Sequence, residues 1–315
     1  MRWPFIRNLP TEFNFDFVRL APFAAVLSAI LIAASVGSFI FRGLNFGIDF
    51  VGGALIEVQT QKPLDIGGLR RVMTEAGGED AQVQSLGAGN GAILRYRVPN
   101  DADLNQSTQT VRTALQKAFP GIEIRRAETV GGKVSGELAR SGAIALSVAM
   151  LLMLLYIWFR FQLQFGLGAI VAVLHDVVLT LGVLSVTQLE VSMTSIAALL
   201  TVIGYSMNEK VITFDRLREN LRKYKTTPLA EIINRSENER LSRTLITGST
   251  AIIALSGALF LGGPVLLPLV FTMVFGVIIG TYSSIYVALP IILLWGVRRD
   301  DEDAMPLKPA DARRR

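Results

Sequence analysis

The sequence predicts a helical membrane protein with one α+β domain set between its first two spans. Three observations lead there. Of the 315 residues, 51% are hydrophobic, more than a water-soluble domain with one ordinary core carries. Those residues gather into six apolar runs, each near the roughly 20 residues that cross a bilayer as a helix. Between the first and second runs lies an interval with no such run, in which strand-like alternation and helical spacing take turns.

The net charge of +5 does not mark a nucleic-acid binder, because Lys and Arg sit at the ends of the apolar runs, as cytoplasmic loops require. The chain has no cysteine and a single histidine, His175. Disulfides, thiolate metal sites and His-cluster metal sites are therefore excluded, and no cofactor is expected.

Taken in order, residues 1–19 are polar with Arg2, Arg7 and Arg19. The run at 20–41 is expected to be a first span that is retained, since a cleaved signal has a shorter apolar core of about 7 to 15 residues. Residues 43–132 are expected to form a domain on the far side of the membrane. Its pattern predicts strands at 54–61, 81–86, 92–98 and 122–129 and helices at 65–76 and 104–119. That βαββαβ order is the ferredoxin-like motif. The glycines of LGAGNG fall between two predicted strands, where a hairpin turn explains them better than a phosphate loop. Further spans are predicted at 138–159, 165–186, 193–214, 245–261 and 270–297, with a basic cytoplasmic segment at 215–243 and a charged tail at 298–315. The charge asymmetry places both termini in the cytoplasm. Gly276 and Gly280 give the last span a face for close packing.

The fourth run, TSIAALLTVIGYSMNEKVITFDRLREN, carries Asn208, Glu209 and Lys210 before its cytoplasmic edge. An ionised group near a helix centre costs roughly 3 kcal/mol to insert, so these charges need a protein-lined or wet setting. Glu209 lies about 8 Å inside the edge marked by Asp215, where water could reach it and a proton could come and go. Tyr205, Ser206 and Thr213 share its face at 100° per residue, and Asn208 and Lys210 flank it. Lys210 is expected to snorkel one turn to the headgroups. His175 and Asp176 fall in the middle of the third span. They are either a proton relay or a hydrogen-bonded pair that fixes helix packing. Arg243, ahead of Thr244, is either a counter-ion for an inward carboxylate or an ordinary positive-inside residue.

Five stretches together resemble the SecF family of bacterial protein-export translocase subunits, in the RND superfamily. They are FNFGIDFVGG, GGKVSGELARSGAIA, VIGYSMNEKVITFDRLREN, LSRTLITGSTA and GTYSSIYVALPI, and the resemblance covers nearly the whole chain. It implies one half of a twelve-span assembly in the bacterial inner membrane whose other half is SecD. It also implies use of the proton motive force, with protons as the coupling ion, to promote translocation and release of secreted preproteins. The expected partners are SecD, the SecYEG channel, YajC, the translocating preprotein, membrane lipids and, indirectly, SecA. Carried over residue by residue, the family motif falls on Gly47, Asp49, Gly52, Gly53, Asp215, Arg216, Arg218 and Glu219. The family's fourth-span pattern has asparagine followed by aspartate. Asn208 matches it, and Glu209 stands where the aspartate is expected, one methylene longer. The family's cationic fifth-span partner maps onto Arg243.

Three other classes compete: an RND-type exporter of small molecules or lipids, an intramembrane aspartyl protease built on Asp176 and Glu209, and a passive scaffold of the translocase. An exporter would carry both six-span halves and larger outer domains. A protease needs two carboxyls sharing a proton at close range. The reading favoured here is not an enzyme.

Overall fold

The computed structural model describes residues 13–86, 89–98, 104–161 and 163–297. The polar head up to residue 12, the tail from 298 and residues 87–88 of the LGAGNG turn lie outside the described residues. Five helical stretches are long and apolar enough to cross a membrane. They are α1 (Phe17–Arg42), α5 (Gly132–Arg160), α6 (Leu163–Thr187), α8 (Leu229–Leu261) and a final stretch, Val265–Trp295. That last stretch runs through α9 (Gly263–Ser283), a π-helical turn at Ser284–Ala288 and α10 (Leu289–Trp295).

A further long helix, α7 (Met193–Lys223), packs against α6, α8 and α9. Its average hydropathy is pulled down by Glu209, Lys210 and the DRLREN charges. α7 and α8 are separated only by residues 224–228, so most of the interval read from sequence as a basic connection is helix. Ile232 and Ile233 of α8 are buried in the same core as Phe165, Phe214 and Leu217, and this apolar anchorage draws the start of α8 into the bundle. Gly276 and Gly280 meet α7 where a side chain would strike Val202 and Ser206. Their missing Cβ atoms let α9 and α7 lie close together.

The interval between α1 and α5 begins with a short helix, α2 (Ile48–Val51). It continues as β1 (Gly53–Gln59), α3 (Ile66–Glu75), β2 (Glu79–Leu86), β3 (Gly91–Arg97), α4 (Leu104–Ala118) and β4 (Glu123–Val130). The sheet order is β2-β3-β1-β4, with every neighbouring pair antiparallel. Period-2 alternation turns Ala54, Ile56 and Val58 of β1 and Ala92, Leu94 and Tyr96 of β3 to one face. There they meet Leu69 and Met73 of α3 and Val111 and Leu115 of α4. Burying each of the larger side chains contributes about 1.5–3 kcal/mol.

Where this domain meets the bundle, Gly53 adopts φ +114°, a conformation L side chains avoid, and a Cβ there would collide with the Tyr96 carbonyl oxygen. The glycine pair of FVGG is thus the bend that lets β1 enter the centre of the sheet directly after α2.

Candidate functional site

Among the described residues seven acidic, basic or histidine side chains are buried, and six of them converge inside the helix bundle: His175, Asp176, Glu209, Lys210, Glu237 and Arg240. Arg95 is buried in the outer domain. The six form two clusters, one around Asp176 and Lys210 and one around Glu209 and Arg240.

In the first cluster, the Lys210 ammonium donates to Asp176 Oδ2 at 2.9 Å. Ser283 Oγ donates to the same oxygen at 2.7 Å, and the Ser206 hydroxyl donates to it as well. Asp176 Oδ1 faces His175 Nδ1 at 3.0 Å, and His175 Nε2 lies 3.2 Å from Ser28 Oγ of α1. Asp176 thus holds the imidazole, and through it Ser28 of α1, in the cluster. Lys210 is fully buried. The expectation that it snorkels to the headgroups is therefore corrected: its stem points into the bundle, because an unpaired Asp176 would be far costlier than the rotamer freedom Lys210 gives up.

In the second cluster, Glu209 Oε2 takes a hydrogen bond from Arg240 Nη1 at 3.3 Å and from Thr244 Oγ1 at 3.2 Å. Arg240 also grips Glu237, with Nη2 to Oε2 at 2.7 Å and Nε to Oε1 at 2.8 Å, and it reaches Ser284 Oγ at 3.0 Å. The cationic partner of Glu209 is thus Arg240 and not Arg243, which is exposed on α8. Arg240 and Thr244, one turn apart on α8, are both buried against Glu209, whereas Arg243 is exposed.

Consecutive serines join the two clusters. Ser283 serves Asp176 and Lys210, and Ser284 serves Arg240. They sit where α9 passes into the π-helical turn, a local widening of the kind found at functional sites.

The remaining predicted residues fall into three groups. Ser206 belongs to the first cluster, whereas Thr213 is buried and donates to the Glu209 backbone carbonyl at 2.8 Å. Tyr205 is half-buried beside Gly248, and Asn208 is exposed, so it joins neither cluster. Asp215, Arg216, Arg218 and Glu219 lie past the clusters at the end of α7. Asp215 pairs with Arg160 of α5 at 3.0 Å, and Arg216 pairs with Glu219 at 2.6 Å and Glu239 of α8 at 2.8 Å. Arg218 lies over the Phe161 ring. These contacts tie α7 to its neighbours and add no group to the buried sites.

Gly47, Asp49 and Gly52 act at the other end. The Gly47 N–H donates to Val191 O at 2.9 Å, Gly52 ends α2, and Asp49 Oδ2 accepts from Met193 N at 2.9 Å. Asp49 thereby satisfies one of the free N–H groups that open α7. Beside it, Arg95 of β3 donates to Glu190 at 2.6 Å and to Asn45 at 2.9 Å. The outer domain therefore holds the start of the helix that carries Glu209 and Lys210.

Sequence reasoning missed Glu237, Arg240, Ser283 and Ser284. Glu237 and Arg240 are spaced i, i+3 and share a helix face, a visible signal, but they fall in a stretch whose charge density reads as cytoplasmic. Ser283 and Ser284 stand in a quoted motif without any chemistry that would single them out. Among the described residues no group of three or more His, Cys, Asp and Glu side chains is arranged to hold a metal ion.

Comparison with known proteins adds the following. Residues 110–298 match the family described as protein export membrane protein SecD/SecF, C-terminal, and residues 37–64 match the SecD/SecF GG motif. Protein translocase subunit SecF of Rickettsia akari is 39% identical over 298 residues, covering 93% of this chain and 96% of the relative. The subunit of the same name from Rhodobacter capsulatus is 41% identical over 317 residues, covering 96% and 95%. The crystal structure of SecDF, a translocon-associated membrane protein from Thermus thermophilus, superposes with a TM-score of 0.81 at 32% identity. It takes in 94% of this chain and 40% of that one, so this chain spans two-fifths of the SecDF length. A super-membrane-facing form of SecDF superposes with a TM-score of 0.67 at 34% identity over 90% of this chain.

Proposed function

This chain belongs to the SecF family of protein translocase subunits, and from that premise we propose that it couples proton movement across the bacterial inner membrane to the translocation and release of secreted proteins. The observation that carries this reading is Glu209. It is a carboxylate buried inside a helix bundle and held by Arg240 through a single 3.3 Å contact. Buried ion pairs are poor devices for stability, since desolvation offsets their attraction, and an intramembrane carboxylate marks an ion path by default. Protonation of Glu209 removes the charge that ties α7 to α8. Because Asp49 and the Arg95–Glu190 pair hold the start of α7, a shift of that helix would be passed to the outer domain.

In this reading α7 is a sixth span, the charge that lowers its hydropathy being the working part of the protein. The outer domain is ferredoxin-like, supported by its element order and its β2-β3-β1-β4 sheet. The partner is SecD, which would supply the other half of the SecDF-like whole, with SecYEG, YajC and, indirectly, SecA beyond it. Both termini lie in the cytoplasm, and protons are the only coupling species. Asp176 and Glu209 have separate cationic partners, an arrangement that disfavours a protease's shared-proton dyad.

The test is gradient-driven export in membrane vesicles carrying this chain and SecD. Glu209→Gln is expected to remove the gradient-dependent part of export, at least tenfold, while co-purification with SecD persists. Wild-type export by that variant would end the proton-coupling reading and leave a passive scaffold.

A further inference from the structure

Around Arg240 the buried fixed charges do not cancel. Among the described residues, Asp176, Glu209 and Glu237 are buried carboxylates, and Lys210 and Arg240 are the buried cations. Asp176 and Lys210 form a closed pair, which leaves Glu209 and Glu237 to share one guanidinium. An unbalanced charge in a low-dielectric interior is removed most readily by binding a proton.

The geometry is lopsided. Glu237, three residues before Arg240 on α8, is gripped by two N–H groups along one edge of the guanidinium at 2.7 and 2.8 Å, whereas Glu209 receives one guanidinium contact at 3.3 Å. Arg240 is thus committed mainly to its own helix and only lightly to α7. From this we infer that Glu237 is a positioning residue of the coupling site: it competes with Glu209 for Arg240 and so keeps Glu209 able to take up a proton.

Among the described residues no other group facing the pair can do this work. On α7 the neighbours are Tyr205 and Lys210, the latter committed to Asp176. On α6, His175 is turned to Asp176 and Ser28. Tyr282 bonds Ser28 and the Ala24 carbonyl, and Tyr286 stacks beside Tyr282 and Phe17. On α1 the nearest charged groups, Asp16 and Arg19, lie exposed at its start, and α10 has no titratable side chain. When Glu209 is protonated, Glu237 and Arg240 form a neutral pair. When Glu209 gives up its proton, Arg240 is drawn between two carboxylates, and α7 and α8 are pulled together.

The inference rests on the coupling role proposed for Glu209, and one experiment separates the two. Gradient-driven export is measured from pH 5.5 to 8.5, a range of about three units around the ordinary operating pH, in vesicles carrying this chain with SecD. The variants are Glu209→Gln, Glu237→Gln and Glu237→Asp. If Glu209→Gln exports like wild type, the coupling role itself fails, whatever Glu237 does.

If Glu209→Gln is inactive, Glu237→Gln is expected to retain export with its pH profile moved about 1 unit or more to the acid side, because Arg240 then belongs wholly to Glu209. Glu237→Asp retains the charge with a weaker reach and is expected to fall between the two. A Glu237→Gln profile that superimposes on wild type overturns the inference, as does a uniform loss of rate with no displacement along the pH axis. Should Glu237→Gln fail to accumulate, Glu237→Asp decides: an acid-side displacement supports the competition for Arg240, and an unmoved profile refutes it.

Discussion

Lys210 and Arg243 exchange the roles that their positions in the sequence suggest, and the exchange can be measured. Lys210 is the buried partner of Asp176, whereas Arg243 is exposed. Replacing Lys210 by Met leaves Asp176 uncompensated and is expected to cost about 3–5 kcal/mol in unfolding of the detergent-solubilised chain. Pairing it with Asp176→Asn should recover most of that loss, and a double variant no more stable than Lys210→Met alone would show that the pair is not coupled. Arg243→Ala is expected to change stability by no more than about 0.5 kcal/mol, the usual size for an exposed residue. A loss near that of Lys210→Met would contradict the geometry of α8. The extra methylene of Glu209 belongs to the same scale, since a shift of about 1 Å in a carboxylate decides which partner it reaches. Here the longer side chain meets Arg240, three residues before Arg243, to which the family pattern points.

Among the elements, α7 is the one both ends of the protein hold. Its start is capped by Asp49 and bordered by the Arg95–Glu190 pair, and its end is tied to α5 and α8 by Asp215 and Arg216. Asp49→Ala is expected to cost about 1 kcal/mol at the cap and to speed amide hydrogen exchange across the first turn of α7 while leaving its last turn unchanged. Uniform exchange along the helix would show that the cap does not act locally. The four-stranded sheet depends instead on its own core. Leu115→Ala, at a side chain with no exposed surface, is expected to destabilise the outer domain by about 2–5 kcal/mol without altering the infrared or fluorescence signals of the bundle. Loss of both together would mean that domain and bundle unfold as one unit.

At the level of the whole molecule, α7 presents an exposed line through Ala197, Thr201, Gly204 and Asn208 although other faces of the helix pack against α6, α8 and α9. SecD, the partner proposed above, is expected to cover this line. A side chain added at Gly204 meets nothing within 4 Å in this chain. Gly204→Trp is therefore expected to leave the chain folded but to reduce co-purification with SecD at least tenfold. Undiminished recovery of the complex would place the partner on another face, with α1, α5 and the outward side of α8 as the remaining candidates.

What the sequence determined by itself was whatever depends on local pattern. The apolar runs, the alternation in ALIEVQ and ILRYRV, and the punctuating glycines and prolines set element type to within about two residues across the outer domain, because period 2 and period 3.6 are properties of the chain alone. The carboxylates at 176 and 209 were legible for the same reason: a charge inside an apolar run is visible without a partner. The partners were not. That Lys210 turns inward to Asp176, that Arg240 rather than Arg243 reaches Glu209, and that Glu237 shares it all depend on how α6, α7 and α8 are rotated against one another. The sequence marks where α8 is apolar but not where it enters the bundle, and its first turns are drawn in by Ile232 and Ile233 packing on distant residues. Only the tertiary structure decides such pairings, because a charge buried with its partner and one left at the surface differ in their neighbours and not in their spacing along the chain.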